Sequence, residues 1–252
     1  MSEKNRKIEY LRYLRDIGET EIPLPASARV EQTSASISIE GNAESEKPDA
    51  ERKPNGFDLD TVEKKVKILS VIEDEVLKCK KCPLHKTRTK PVPGAGNPSA
   101  EIMFIGEAPG AEEDKQGIPF VGRAGKLLDK ILAACDLTRD DVFIANILKC
   151  RPPGNRDPLP TERMACIPYL FGQIDAIKPK VICCLGRIAA QTLLQTKIPL
   201  GKLRGQVHSF RGIPLIVTYH PAAILRNENL KRPTWDDFKF LLKILEERRE
   251  EE

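Results

Sequence analysis

Gly106-Glu107-Ala108-Pro109-Gly110-Ala111-Glu112-Glu113-Asp114-Lys115-Gln116-Gly117-Ile118-Pro119-Phe120-Val121-Gly122-Arg123-Ala124-Gly125 is the stretch on which the chain turns. Just before it, Glu101-Ile102-Met103-Phe104-Ile105 is a short apolar run that reads as a buried strand. The glycines mark a loop leaving the C-terminal end of that strand. From Lys126 to Cys135, Leu127, Leu128, Ile131 and Leu132 recur at helical spacing. Strand, long loop, helix is the layout in which open α/β sheets place their ligands. Glu107, Glu112, Glu113 and Asp114 crowd carboxylates into the loop, and Phe120 sits between Pro119 and Val121. Loops this long are functional or disordered, and the embedded aromatic argues against disorder. The segment reads as a rigid pocket wall offering backbone N–H groups, a carboxylate and an aromatic face. A purely structural Ω-loop is the alternative.

The chain has 252 residues, 40% hydrophobic, enough for a core. Its 41 Lys and Arg against 37 Asp and Glu give a net charge of +4, so any nucleic-acid surface must be a local patch. No apolar run approaches the ~20 residues that span a membrane, and the charged N-terminus does not read as a signal peptide. Seven cysteines, an odd number, in such a chain favour a metal or cluster over disulfides. The expected compartment is the reducing cytoplasm, with no membrane partner.

Two regions are expected. Residues 1–60 form an extension: a short charged helix over 3–18, then a linker rich in Ser, Glu, Ala, Pro, Lys and Asn that cannot bury enough apolar surface to order itself. The extension is a candidate tag for an unidentified protein partner. Residues 61–252 form the α/β domain. Val62, Val66, Leu69, Ile72 and Val76 give an amphipathic helix over 61–78, which ends at Cys79-Lys80-Lys81-Cys82. Three more short apolar runs, Val142–Ala145, Val181–Leu185 and Leu215–Tyr219, alternate with helical stretches at 126–135, 161–177 and 187–196. A last helix covers about 234–249, and residues 201–213 suggest a small β-excursion. This alternation means a parallel sheet covered on both faces: a three-layer α/β/α sandwich around a four-stranded, mostly parallel sheet.

Each strand runs into an unusual residue: Glu107, Asn146, Gly186 and His220. In a parallel sheet these ends share one edge, where ligands bind. An Asn amide offers one donor and one acceptor to a polar ring edge, an aromatic ring stacks on it, a His donates to an oxygen turning negative, and a carboxylate holds a water. Together Glu107, Phe120, Asn146 and His220 fit a pocket for an extruded nucleobase. Taken singly, a His before Pro is a capped strand end and an Asn a turn residue.

Cys79, Cys82, Cys150 and Cys166 are spaced C-x2-C-x67-C-x15-C, which suits an iron–sulfur cluster or Zn; Cys166 as a small buried residue is the bland alternative. Cys135, Cys183 and Cys184 lie in apolar settings and read as core thiols. Lys149, Arg151, Arg156, Arg204, Arg226, Lys231 and Arg232 lie near the same edge and fit phosphate contacts. Ile224 and Leu225, between His220 and Arg226, either wedge into a duplex from which a base has left or start a helix facing the core.

The set resembles the family 4 uracil-DNA glycosylases, the iron–sulfur type of bacteria and archaea. The resemblance covers about residues 62–247. It is carried by Cys79-x-x-Cys82, the Gly106–Gly125 loop, Asn146-Ile147-Leu148-Lys149-Cys150-Arg151-Pro152-Pro153-Gly154-Asn155-Arg156, Cys166, and His220-Pro221-Ala222 with Arg226. It implies a four-stranded α/β/α sandwich and a structural [4Fe–4S] cluster on the four cysteines, in preference to Zn. It further implies that Phe120 stacks on uracil, Asn146 reads its N3–O4 edge, His220 stabilises charge at O2 and Glu107 holds the water, with Gly106 and Ala108 lining the pocket. DNA contacts fall to Arg151, Ile224, Leu225 and Arg226. Ala108 stands where Gly is also common, and Glu113 or Asp114 is near enough to share the water-activating role. No basic insert follows Cys150, so ordinary turnover is expected rather than covalent capture of DNA. The implied enzyme is a monofunctional glycosylase acting as a monomer on uracil in single- or double-stranded DNA, in a prokaryotic cytoplasm and associated with the nucleoid through DNA. The alternatives are a non-catalytic iron–sulfur DNA-binding module of the same fold, and a phosphoester hydrolase, for which no Walker lysine pattern or second carboxylate set is present.

Overall fold

The computed structural model describes residues 61–251. The helix expected over 3–18, the linker after it and any partner-binding role of the extension lie outside these residues. The elements run α1 (Val62–Leu77), β1 (Ala95–Gly96), β2 (Ile102–Gly106), α2 (Ala111–Gln116), α3 (Arg123–Ala133), β3 (Val142–Asn146), α4 (Pro160–Ile177), β4 (Val181–Leu185), α5 (Arg187–Leu194), α6 (Leu200–Leu203), β5 (His208–Phe210), β6 (Ile213–Thr218), α7 (Pro221–Arg226) and α8 (Lys231–Glu250).

The sheet has six strands in the order β1-β3-β2-β4-β6-β5, not four. The inner four are the expected parallel set. The additions are short antiparallel flanks, β1 on β3 and β5 on β6. A two-residue Ala-Gly strand carries no periodicity, which is why the sequence hides it. The second flank is the excursion expected between 201 and 213.

The four inner strands are buried along nearly their whole length, so neither face shows an alternating polar pattern. On one face Met103 and Ile105 pack with Ile167, Leu170 and Ile174 of α4 and with Ala189, Ala190 and Leu193 of α5. On the other, Ile102 and Phe104 pack with Leu128 and Leu132 of α3 and with Phe238, Leu241 and Leu245 of α8. Three layers result, as expected from strands alternating with helices. α1 lies outside α4, with Ile72 against Gly172 and Lys65 Nζ donating to the Ile177 carbonyl at 3.0 Å. Among the described residues no helix is long and apolar enough to cross a membrane.

The stretch after β2 is not all loop, because α2 sits inside it. Glu112, Glu113 and Asp114 fill its first turn, where carboxylates meet the positive end of the helix dipole. Gly117, at φ 81, ends it in the left-handed conformation that glycine adopts without strain.

Register brings the strand ends together. Gly106 pairs with Asn146, Ile105 with Cys184, and Leu185 with Thr218. The residues that follow, Glu107, Gly186 and His220, therefore leave one edge of the sheet along with Asn146. From β2 the chain moves to β3 on one side, while β4 lies on the other. That reversal makes the β2–β4 boundary the switch point where α/β sheets open a crevice.

Candidate active site

Gly106 shows how closely the pocket parts meet. A Cβ on it would stand 2.4 Å from Asn146 Oδ1 and 2.7 Å from Phe120 Cζ. Only a residue without a side chain lets the amide and the ring lie against the strand end. Phe120 is buried and has φ 53, a left-handed conformation costly for an aromatic residue. Its ring centroid is 5.5 Å from that of His220, with 33° between the planes. Gly186, at φ 95, brings the β4 end against the other side of the imidazole, where a Cβ would be 2.9 Å from His220 Cβ. Phe120, Asn146 and His220 thus meet in one place, with Gly106 beneath them and Glu107 next along the chain.

Asn146 is 2% exposed, and its Oδ1 has no hydrogen-bond donor among the described residues. A buried amide acceptor without a partner is costly and rare. His220 caps α7, and its Nδ1 accepts the Ala222 N–H at 3.1 Å. In the neutral imidazole the proton then sits on Nε2, which becomes the donor. Burial pushes the imidazole down to about 4, with Arg226 pushing the same way and Glu113 opposing. The ring is neutral at physiological pH. Glu107 moves the other way: burial raises it to about 6, Asp157 adds to the rise, and Arg187 and Arg163 oppose it.

Glu113 and Asp114 are spent on the loop. Glu113 Oε1 accepts the Val121 and Gly122 N–H groups at 2.9 and 2.8 Å. Asp114 Oδ1 accepts the Thr89 N–H at 3.0 Å. Both are buried, and both tie down the backbone of the wall. This leaves Glu107 as the carboxylate of the strand edge. Ala108 packs instead with the cysteine group described next.

Cys150 and Cys166 lie in one buried group with Ile72, Val76, Leu84, Leu148 and Tyr169, and Cys79 and Cys82 pack against it. Four thiols from three chain segments so meet beneath the end of α1. Donors point at the sulfurs: Arg88 Nη1 to Cys150 at 2.9 Å, the Lys149 N–H to Cys166 at 3.1 Å and the Lys81 N–H to Cys79 at 3.5 Å. All seven cysteines are free of disulfides. Among the described residues no three His, Cys, Asp or Glu side chains close into a site for a single metal ion.

The basic set divides. Lys149 is fully buried and donates to Gln173 Oε1 at 2.7 Å; burial lowers it to about 8. It is an internal brace, not a phosphate contact. Arg156 is paired with Glu162 at 2.6 Å, and Arg204 with Asp237 at 2.7 Å. Arg151 is anchored by Asn155 at 2.7 Å. Arg226 is exposed on α7 beside His220. Leu225 faces outward at 49% exposure, whereas Ile224 is 2% exposed and belongs to the interior. Helical geometry turns adjacent residues about 100° apart, so only one of the two can serve as a wedge.

Sequence reasoning missed Arg88, Arg139 and the clamp role of Glu113. Arg88 lay in a basic run with no distinguishing neighbour. Arg139 lay in a polar turn. Only Glu113 left a trace, as one of three acids in the first turn of a short helix.

The carboxyl edge of the four parallel inner strands gathers a ring, an amide and a neutral imidazole, the few convergent polar and aromatic groups expected of a ligand site. The model of the uracil DNA glycosylase superfamily matches residues 93–240. The type-4 uracil-DNA glycosylase of Archaeoglobus fulgidus is 48% identical over 179 residues, covering 68% of this chain and 90% of that protein. That of Sulfurisphaera tokodaii is 50% identical over 180 residues, 68% of this chain and 82% of its own. That of Thermotoga maritima is 43% identical over 176 residues, covering 68% and 92%. The chain belongs to the uracil DNA glycosylase superfamily, within its type-4 family.

Gly125 is set against the Phe120 carbonyl, where a Cβ would fall 1.7 Å from the oxygen. Gly125→Ala is expected to destabilise the protein by roughly 1–3 kcal/mol or more, as overpacking against backbone does. Thermal denaturation checks it, and an unchanged Tm would contradict the geometry.

Proposed function

We propose that the protein excises uracil from DNA, hydrolysing the N-glycosidic bond and leaving an abasic site. The observation that carries this is the unpartnered Asn146 Oδ1, buried between Phe120 and the strand edge. Uracil supplies the missing donor in its N3–H, and its O4 accepts from Asn146 Nδ2. Cytosine presents the reverse: an acceptor at N3 against Oδ1 and an amino group against Nδ2. Two buried like-with-like contacts reject it strongly.

Phe120 stacks on the flipped base. As the bond from C1′ to N1 breaks, its electron pair passes to the uracil ring, and negative charge grows at O2. His220 donates Nε2–H to that oxygen as a neutral imidazole, so no proton need transfer. Glu107, ionised, supports the developing positive charge on the sugar and orients a water towards C1′. The water oxygen forms the new bond, its proton leaves through Glu107 or solvent, and the uracil anion is protonated from solvent. Preorganised dipoles at O2 and the sugar carry most of the rate.

Cys79, Cys82, Cys150 and Cys166 fit a [4Fe–4S] cluster: four thiols, an apolar roof and N–H donors aimed at sulfur. Bound there, the cluster would tie α1 to the strap that follows Asn146. Arg151, Leu225 and Arg226 would meet DNA, with Leu225 as the wedge and Ile224 holding α7 to the interior. On this reading the protein works as a monomer in the cytoplasm on single- or double-stranded DNA.

The test is incubation with uracil-containing single- and double-stranded oligonucleotides, then alkali. Cleavage is expected at uracil alone; DNA binding without base release would favour the non-catalytic alternative. Asn146→Ala and His220→Ala should each lower kcat by roughly 10²–10³-fold with the fold intact. Normal cleavage by both would remove the site assignment.

Glu107 must be ionised to act, and burial raises its pKa to about 6. Activity should therefore rise with pH through about 6 and level off above it. His220, already neutral above about 4, adds no further limb near neutrality. A pH–rate profile for single-turnover excision checks this, and one that falls as pH rises through 6 would reverse the assignment. Cys150→Ala should bleach the visible absorbance of anaerobically purified protein; unchanged colour rejects that ligand.

A further inference from the structure

We infer that Arg139, which lies outside the pocket, is the positioning residue that sets the direction of the Phe120 ring. The inference rests on Phe120 being the stacking wall proposed above. Arg139 stands in the connection from α3 to β3 and reaches back across the loop. Its Nη1 donates to the Pro119 carbonyl at 2.9 Å, and its Nη2 donates to the Phe120 carbonyl. Its Nε is held by Asp129 Oδ1 of α3 at 2.7 Å. The guanidinium thus grips the carbonyls of the peptides that enter and leave Phe120, and a carboxylate fixes the guanidinium.

Phe120 needs such a grip. It is the aromatic residue with φ 53, where bulky side chains persist only if their surroundings over-determine them. Gly125 packs against the same carbonyl so closely that a Cβ on it would overlap the oxygen. With the carbonyl so held, the ring has one direction, across Gly106 and beside His220. Released, Phe120 would relax to negative φ and swing its ring off the strand end. A fork of parallel donors does this and a point charge does not, so lysine is an incomplete substitute.

The experiment has two readouts on the full-length holoprotein. In the first, 4-fluorophenylalanine is incorporated and the ¹⁹F line absent from Phe120→Leu is assigned to Phe120. That line should shift or broaden in Arg139→Gln, and less so in Arg139→Lys, while the other lines stay. In the second, single-turnover excision is measured in a double-mutant cycle. Arg139→Gln should lower kcat/KM by about tenfold or more in the wild-type background and by less than about twofold in Phe120→Ala. A merely structural arginine would cost the same factor in both. Equal factors, or an unmoved Phe120 line, overturn the inference. A moved line in a protein that releases no uracil would uphold the positioning of the ring by Arg139 and defeat the base-excision reading instead. Arg139→Lys retains a cation for Asp129, so it keeps both readouts available if Arg139→Gln unfolds.

Discussion

The last rung of the ladder between β2 and β3 pairs Gly106 with Asn146, and the pocket is built outward from that pair. The rung places the amide on a rigid, fully buried strand end rather than on a loop. The absent side chain of Gly106 lets the Phe120 ring come down beside it. A parallel sheet repeats the arrangement one and two strands away, at Gly186 and His220. Precision at the site is thus inherited from backbone hydrogen bonding, which the sheet needs in any case. The stretch after β2 supplies the ring as well as Glu107, and it is trussed by Glu113, Asp114 and Gly125.

Burial drives the two titratable groups of the edge in opposite electrical senses. Desolvation opposes charge on both, so the imidazole is held neutral and the carboxylate is pulled towards neutrality. In the proposed reaction the imidazole is useful in that state, because a neutral donor meets a developing anion without having surrendered a proton first. The carboxylate is useful only when charged, and Arg187 and Arg163 partly restore that charge. One low-dielectric crevice therefore holds a neutral imidazole and an acid raised to about 6.

Much of this was legible in the sequence, and for identifiable reasons. Four short apolar runs ending in Glu107, Asn146, Gly186 and His220 announced a parallel sheet and the edge at which their ends gather, because period and punctuation are local properties. The cysteine spacing announced a thiol centre for the same reason. The edge strands were faint: Ala95–Gly96 is too short to show a period. The fates of Lys149, Arg156 and Arg204 were hidden because a cation looks the same in sequence whether it meets solvent or Gln173, Glu162 and Asp237. Ile224 and Leu225 were indistinguishable as apolar neighbours until the helix turned one inward. Contacts made in the fold decide these cases, with partners 6 residues away for Arg156, 24 for Lys149 and 33 for Arg204.

The two flanks of the sheet carry a consequence of their own. β1 is two residues long and β5 three, and each runs against the direction of its neighbour. Gly96, at φ 132, is pressed so tightly on β3 that a Cβ would sit 2.0 Å from the Val142 carbonyl oxygen. Neither margin offers a run of unpaired amides long enough for another chain to add a strand in register.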